Sequence, residues 1–327
     1  MVFKKMMRAF GVGGPSVDTV LANPNTRPGL ALDGQVRVVG GDHDVTIEQI
    51  VLGLVTRVES EHGDGFLEFH RLPVAGNFQL GQGEQRDLPF SFPVPWETPV
   101  TSMYGQRLRG MTMGLRTELA VAKAVDKGDL DEVVVHPLPA QEGILDAFNR
   151  LGFRFHKADL EHGGIHGVRQ QLPFYQEIEF YPAPQYAGSI NEVEVTFVAD
   201  PTGVEVILEF DKRGGFLAPG HDAYGRYRVL HAEAATTDWT SVVQSWVGEA
   251  AGRYQGLRSS HGGGGFGGGH GGFGGHGGGH HGHYRGRGGP GFGGMAAGVA
   301  GGVVGGMVLG EVVEEVFEGD DEGFDEE

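Results

Sequence analysis

The sequence predicts an all-β protein built from two antiparallel β-sandwich domains. Over residues 17–210, apolar residues alternate with polar ones, and the runs are separated by glycine, proline, aspartate and asparagine, which is typical of half-buried strands joined by turns. Leu-Pro-Phe occurs at residues 88–90 and again at 172–174, each time at the start of an alternating run, which indicates one strand design used twice. Helices of crossover length are not predicted between the strands, so sandwiches are favoured over a βαβ sheet.

A short basic helix is predicted at the start of the chain, over residues 1–15. Its apolar side chains recur at helical spacing with basic side chains on the other face; they are Phe3, Met6, Met7 and Phe10 against Lys4, Lys5 and Arg8. Packing of this helix onto the protein body is favoured over contact with a membrane surface. The segment lacks the apolar stretch of a secretory signal, so the sequence predicts a cytoplasmic protein.

The first β-sandwich is predicted over residues 16–128. A long strand that begins near Val45 places apolar residues on one side, namely Ile50, Leu52, Leu54 and Val58. Residues 108–121 continue the strand pattern, with glycine breaks at Gly110 and Gly114. Several strands of this length, separated by turns, are typical of a sandwich.

The second β-sandwich is predicted over residues 129–235. It contains one short helical candidate at residues 144–151, which ends at a glycine suited to a helix C-cap. Residues 192–198 and 204–210 alternate around a turn at 200–203, so they form a hairpin with matching apolar faces. The residues predicted to face inward are Val193, Val195, Phe197, Val204, Val206, Leu208 and Phe210, and those predicted to face outward include Glu192, Glu194, Glu205 and Glu209.

An amphipathic helix is predicted over residues 236–255. Thr237 or Asp238 can cap its start. One face carries apolar residues at helical spacing, which are Trp239, Val242, Val243, Trp246, Val247 and Ala250. Two tryptophans on that face favour burial, and docking on the protein's own body is favoured over recruitment of another chain.

Residues 256–294 are predicted to be a flexible linker, because a segment so rich in glycine has too little apolar surface to offset the entropy of ordering. It also carries histidines, which as neutral imidazoles bind Ni²⁺, Cu²⁺ or Zn²⁺. The candidate metal ligands are His270, His276, His280, His281 and His283, with His261 nearby. Loose metal capture and an ordinary polar linker both remain open.

The last segment, residues 295–327, combines an apolar stretch with an acidic terminus. Glycine recurs every four residues and would form a flat strip on a helix, the geometry of close helix pairing; the candidate self-association residues are Gly298, Gly302, Gly306 and Gly310. Plain disorder is the alternative. The stretch is shorter than the roughly 20 residues that span a bilayer, so self-association is favoured over a membrane span.

Composition excludes several classes of function. The net charge of −18 argues against a nucleic-acid binder, which needs clustered lysine and arginine. Cysteine is absent, so thiol nucleophiles and cysteine-bound metals are excluded. Neither Gly-x-Ser-x-Gly nor His-Glu-x-x-His occurs. We therefore expect no cofactor and no enzymatic activity.

Two local clusters could hold a metal ion. Residues 126–132 bring together oxygen ligands for a hard cation, namely Asp126, Asp129, Asp131 and Glu132, but an acidic interdomain turn also explains them. His162 and His166 lie four residues apart, which is a zinc spacing only on a helix. Ordinary exposed histidines are the alternative.

Ordered motifs along residues 1–235 resemble a known family. They include Phe10-Gly11-Val12-Gly13-Gly14, Leu88-Pro89-Phe90-Ser91-Phe92, Leu115-Arg116-Thr117, Leu151-Gly152-Phe153, Leu172-Pro173-Phe174 and Glu192-Val193-Glu194. Together they are similar to bacterial sporulation-control proteins of the SpoOM type. The resemblance implies an arrestin-like pair of β-sandwiches and a non-enzymatic, cytoplasmic regulatory role in sporulation, the cell cycle or stress.

The predicted function is that of an adaptor or scaffold. Its body would bind other proteins through exposed strand edges or the interdomain groove, because a sandwich leaves edge amides and carbonyls available. The tail would serve for tethering and self-association. The alternative is a membrane-peripheral or metal-binding protein that acts through its glycine- and histidine-rich tail.

Overall fold

The computed structural model describes residues 13–58, 65–122, 127–188, 190–210 and 225–262. The strands that precede the first helix are β1 (Ser16–Leu21), β2 (Asn25–Thr26), β3 (Ala31–Val39), β4 (Val45–Val58), β5 (Gly65–Leu80), β6 (Gln85–Pro93), β7 (Ser102–Met103), β8 (Gln106–Arg107), β9 (Met113–Val121), β10 (Lys127–Glu132) and β11 (Val134–Val135). The remaining elements are α1 (Pro139–Arg150), β12 (Arg154–His162), β13 (Phe174–Tyr181), β14 (Val193–Asp200), β15 (Gly203–Phe210), β16 (Gly225–Leu230) and α2 (Trp239–Gly262).

The first half of the chain forms a β-sandwich. A three-stranded sheet, β1-β3-β6, faces a four-stranded sheet, β10-β9-β4-β5, and all their ladders are antiparallel. Apolar residues from the two inner faces meet in one core, whose most buried members include Leu32, Val36, Ile47, Leu52, Leu54, Leu80, Phe92 and Leu115. The predicted all-β class and the long strand that begins at Val45 are confirmed.

Strand β10 closes one seam of this sandwich. The Thr19 backbone N–H of β1 donates to Asp129 Oδ2 of β10 over 2.9 Å, and the buried hydroxyls of Thr19 and Thr117 lie 2.5 Å apart. Because β10 pairs with β9 along its whole length, it belongs to the first domain. We therefore propose that the first domain extends to the end of β10.

The second half is built on a five-stranded antiparallel sheet in the order β12-β13-β14-β15-β16. The predicted hairpin is β14 and β15, which pair from Val193 with Phe210 to Asp200 with Gly203. In the described part of the chain, helices α1 and α2 cover one face of this sheet in place of a second large sheet. Their buried residues share a core with the sheet, and they include Ile144, Leu145, Phe148, Val243, Val247 and Ala250.

Helix α2 docks on the protein's own body, as predicted. Asp238 Oδ1 and Oδ2 accept hydrogen bonds from the Ser241 backbone N–H and hydroxyl, so Asp238 caps the helix start. The Trp239 indole lies where a Cβ of Gly143 in α1 would stand, so only glycine fits there. Trp246 stacks on Tyr227 of β16 with ring centroids 4.4 Å apart.

The segment after β6 fixes the two domains to each other. The Val100 backbone N–H donates to Gln176 Oε1 over 2.9 Å, and Gln176 Nε2 donates back to the Val100 carbonyl over 2.7 Å. Val100, Met103 and Leu108 are buried in the core of the second domain. The C-terminal sheet is therefore held in one orientation to the sandwich.

Candidate functional site

One face of the C-terminal sheet is acidic and largely buried. Residues of β13 alternate, so Ile178 and Phe180 enter the helical core while Glu177 and Glu179 project from the opposite face. The same alternation on the neighbouring strands adds further carboxylates to that face, which we call the acidic face; it comprises Asp159, Glu161, Glu177, Glu179, Glu194, Glu205 and Glu209. Such a concentration requires compensating positive charge or protons.

Burial on this face corrects a prediction. Glu194 and Glu209 do project away from the apolar core, but their relative exposures are 5% and 9%, whereas their alternation with apolar residues predicts a solvated surface. Glu177, with an exposure of 3%, is buried in the same way. The acidic face is therefore an environment in which carboxylates interact strongly.

Lys157 is the cation that lies between two of these carboxylates. Its Nζ is 2.6 Å from Asp159 Oδ2 and 3.1 Å from Glu179 Oε1. Burial alone would lower the pKa of Lys157, but hydrogen bonds and the charges of Asp159 and Glu179 raise it above its ordinary value. Asp159 Oδ1 is buried without a hydrogen-bond partner, so Lys157 neutralises the negative charge on this side of the acidic face only in part.

A second group of ligand atoms surrounds His156. Its Nδ1 lies 3.4 Å from Glu179 Oε2 and 3.2 Å from Glu192 Oε1, and ligand atoms of all three residues lie within 4.8 Å of one another. The imidazole packs against the Tyr181 ring with centroids 4.4 Å apart. We call His156, Glu179 and Glu192 the His156 cluster.

Glu179 is the most perturbed carboxyl of the His156 cluster. Burial, and after it a side-chain hydrogen bond with Glu192, raise the pKa of Glu179 to about 8 against the lowering effect of Lys157.

The C-terminal sheet also has an open edge at β16. The His231 backbone N–H donates to the Thr202 carbonyl, toward β15, while the Leu230 N–H donates to Glu233 Oε2. Successive amides of a strand point to opposite sides, so the amides of Arg226 and Arg228 point away from β15. In the described part of the chain, β16 is the last strand of its sheet.

Two edge strands of the sandwich, β5 and β6, are interrupted by proline, which cannot donate to a ladder. Pro73 lies within β5, and Pro89 and Pro93 lie within β6. Strand β5 also carries two register shifts against β4. Such features protect an edge from pairing with other chains, and β16, Gly-Arg-Tyr-Arg-Val-Leu, has none of them.

A pocket of about 410 Å³ opens between the sandwich and the β7–β8 hairpin. Its lining is polar at the rim, where Arg107 forms an ion pair with Glu132 and His136 Nε2 lies 2.8 Å from Asn25 Oδ1. These polar groups already have partners, so the pocket offers a weaker case for a site than the acidic face.

The predicted tail sites lie outside the described residues. This applies to the five candidate histidines between 270 and 283, to the four candidate glycines between 298 and 310, and to most of the N-terminal helix over residues 1–15. They stay predictions.

Residues 127–132 of the acidic run form strand β10 and not a turn. Asp129 Oδ2 accepts from the Thr19 backbone N–H and Oδ1 from its own strand neighbour, Leu130, so this carboxylate closes the sandwich seam. Glu132 pairs with Arg107. The described members of the run therefore support the fold and are not gathered around an ion.

Sequence reasoning missed the His156 cluster. His162 and His166, which it considered, are exposed and do not belong to either of the metal-ligand groups found in the described ranges. His156 meets Glu179 and Glu192 only through the register of β12 with β13 and a bulge between Phe155 and Ala158. The alternating glutamates were the available signal, but alternation alone indicates a solvated face.

Comparison with known proteins identifies relatives of this chain. The model of the family described as SpoOM protein matches residues 3–214. The sporulation-control protein spo0M of Bacillus subtilis is 34% identical over 216 residues, which are 64% of this chain and 81% of that protein. A crystal structure of Spo0M from Bacillus subtilis superposes with a TM-score of 0.65 at 30% identity, covering 74% of this chain and all of the other.

Hydropathy gives one further finding. Within the ranges that the structure describes, neither helix combines the length and apolar character needed to cross a membrane.

Proposed function

The chain belongs to the SpoOM protein family, and from this premise we propose that it is a non-enzymatic regulatory adaptor that binds other proteins. Its relatives are named as sporulation-control proteins, a name that denotes regulation and not catalysis. The process it regulates is therefore sporulation or a related response of the cell.

The open edge of β16 is the observation that carries this proposal. Strand addition uses main-chain hydrogen bonds, so it needs a strand whose outward amides and carbonyls are regularly spaced. The six residues of β16 pair with β15 in one unbroken register from Leu230 to Gly225. An extended segment of a partner would continue the sheet at this edge.

The edge is also preorganised. The Tyr227 hydroxyl donates to the Trp246 carbonyl over 3.0 Å, and the Tyr227 ring stacks on Trp246, so helix α2 holds β16 from one face. A rigid edge spends little conformational entropy when a partner binds. Leu230, with a relative exposure of 46%, offers an apolar contact at the end of the strand.

A proline substitution tests strand addition directly. Arg228→Pro removes an amide that points away from β15 and leaves the β15 ladder intact, whereas Arg228→Ala removes the same side chain and keeps that amide. Full-length protein carrying each change is used to capture partners from native cells, with quantification by mass spectrometry. We expect partners of the unmodified chain to be lost with Arg228→Pro and retained with Arg228→Ala.

Equal recovery with both variants would contradict binding at this edge. The role in sporulation is tested separately in a Bacillus subtilis strain that lacks its own Spo0M. Expression of the full chain should change the number of heat-resistant spores, and an Arg228→Pro chain should not. A chain without any effect on spore number would contradict the regulatory part of the proposal.

A further inference from the structure

We propose that His156, Glu179 and Glu192 bind one zinc ion on the acidic face of the C-terminal sheet. The inference is independent of strand addition at β16, because the His156 cluster lies on β12, on β13 and just before β14, at the other side of the sheet.

The distances within the cluster fit the ion. Tetrahedral zinc has bonds of about 2.0–2.1 Å to histidine nitrogen and carboxylate oxygen, which places neighbouring ligand atoms roughly 3.3–3.4 Å apart. His156 Nδ1 lies 3.4 Å from Glu179 Oε2 and 3.2 Å from Glu192 Oε1. Two of the three distances therefore already match those between zinc ligands, and since all three ligand atoms lie within 4.8 Å of one another, small movements complete the site.

Hydrogen bonding alone satisfies this arrangement poorly. One imidazole Nδ1 carries at most one hydrogen, yet two carboxylate oxygens approach it at similar distances, both long for a hydrogen bond between charged groups. A divalent cation interacts with all three atoms at once and supplies positive charge where the acidic face has an excess of carboxylates.

Neighbouring side chains orient the candidate ligands, as the side chains around known metal sites do. Lys157 Nζ lies 3.1 Å from Glu179 Oε1, which leaves Oε2 directed toward His156. The Tyr181 ring restrains the imidazole on its other side. Partners that hold a ligand in this way raise metal affinity by about 10- to 100-fold in known sites.

Access and ligand chemistry favour zinc over calcium or magnesium. The side chains of His156 and Glu192 are 36% and 31% exposed, whereas that of Glu179 is 9% exposed, so an ion can enter from solvent and keep water as its fourth ligand. Calcium and magnesium prefer oxygen ligands alone, and an imidazole nitrogen favours zinc.

The test must separate this site from the histidine-rich tail. We therefore use the full-length chain with His261, His270, His276, His280, His281 and His283 replaced by alanine, titrated with Zn²⁺ against a chromophoric chelator. One Zn²⁺ should bind per chain. Added His156→Ala should weaken binding by about 100-fold, because it removes the nitrogen ligand, and Glu192→Gln by at least about tenfold. His162→Ala, an exposed histidine on the same strand, should leave binding unchanged.

Cobalt absorption and circular dichroism complete the experiment. Co²⁺ bound to the tail-substituted chain should give the visible bands of a four-coordinate site, and Glu192→Gln should remove them while the far-ultraviolet circular dichroism stays the same. The proposal is overturned if the tail-substituted chain binds no Zn²⁺, or if Glu192→Gln and His162→Ala bind it equally well. Binding that disappears with the tail histidines alone would assign the metal to the tail instead.

Discussion

The N-terminal sandwich and the C-terminal sheet, which meet across residues 94–112, differ in what they bury. Within the described ranges, the buried polar side chains of the N-terminal sandwich are mainly threonines such as Thr19, Thr56 and Thr117, whereas all the buried carboxylates belong to the C-terminal sheet. Carboxylates cost far more to bury than hydroxyls. Within the described ranges, the C-terminal sheet therefore has the higher electrostatic cost of burial.

The edge strands of the sandwich and of the C-terminal sheet also differ. Prolines interrupt β5 and β6 of the sandwich, while β16 has an unbroken register with β15. A protein that only needed to stay folded would protect all of its edges. The proposal of strand addition at β16 follows from this contrast in edges, whereas the zinc proposal for the His156 cluster concerns the buried carboxylates.

The largest expected effect tests whether the two regions are independent. Phe92→Ala in the sandwich core and Phe180→Ala in the core of the second domain should each destabilise the protein by about 3–5 kcal/mol, because each removes a fully buried ring. Since Val100 and Gln176 join the domains, both variants should unfold in one transition, at a lower denaturant concentration than the unmodified chain. Two separate transitions would show that the domains fold independently.

The next effect tests the electrostatic contrast. Lys157→Met leaves Asp159 and Glu179 without the cation between them, and it should reduce the free energy of unfolding by about 2 kcal/mol, less than for a fully buried pair because Lys157 is 41% exposed. Arg37→Met is the matched change in the sandwich, where the Arg37–Asp87 pair is exposed at both ends. Urea denaturation should find less than about 0.5 kcal/mol for this control.

Equal losses of unfolding free energy for Lys157→Met and Arg37→Met would contradict an electrostatic difference between the C-terminal sheet and the sandwich.

Dependence on pH tests the raised pKa of Glu179. Because burial and the hydrogen bond with Glu192 raise this pKa from 4.5 to about 8, the folded state holds the Glu179 proton more tightly than the unfolded state. Its contribution to stability is complete below about pH 4.5 and is lost as pH rises through about 8. With a chelator present, stability should fall between these values, and Glu179→Gln should reduce that fall. An unchanged slope in the variant would assign the pH dependence to other groups.

Much of the fold followed from the sequence, because period-two alternation and turn residues act locally. The β14–β15 hairpin, the long strand β4 and the docked helix α2 were all predicted from such patterns. The acidic face was not, since Glu194 and Glu209 alternate with valine and leucine just as solvated residues do. Their burial depends on which strands lie beside β14, and the His156 cluster depends on the β12 bulge, neither of which a local pattern contains.

The smallest effect compares a turn in each region. In the β14–β15 turn, Asp200 Oδ1 accepts from the backbone N–H groups of Thr202 and Gly203, and Arg228 lies 2.8 Å away. These contacts lower the pKa of Asp200, first through Arg228 and then through Thr202. Asp200→Ala should therefore cost about 1 kcal/mol at pH 7.

The cost of Asp200→Ala should shrink as pH falls below 4, because the stability contributed by a carboxylate with a lowered pKa is lost in acid. The counterpart in the sandwich is Asp44, whose Oδ1 accepts only from the Gln82 backbone N–H over 2.8 Å among the contacts described. Asp44→Ala should therefore cost less, about 0.5 kcal/mol. Thermal unfolding of both variants at pH 7 and pH 3 measures the difference. A larger loss of stability for Asp44→Ala than for Asp200→Ala would contradict the expectation that the turn in the C-terminal sheet is the more strongly stabilised of the two.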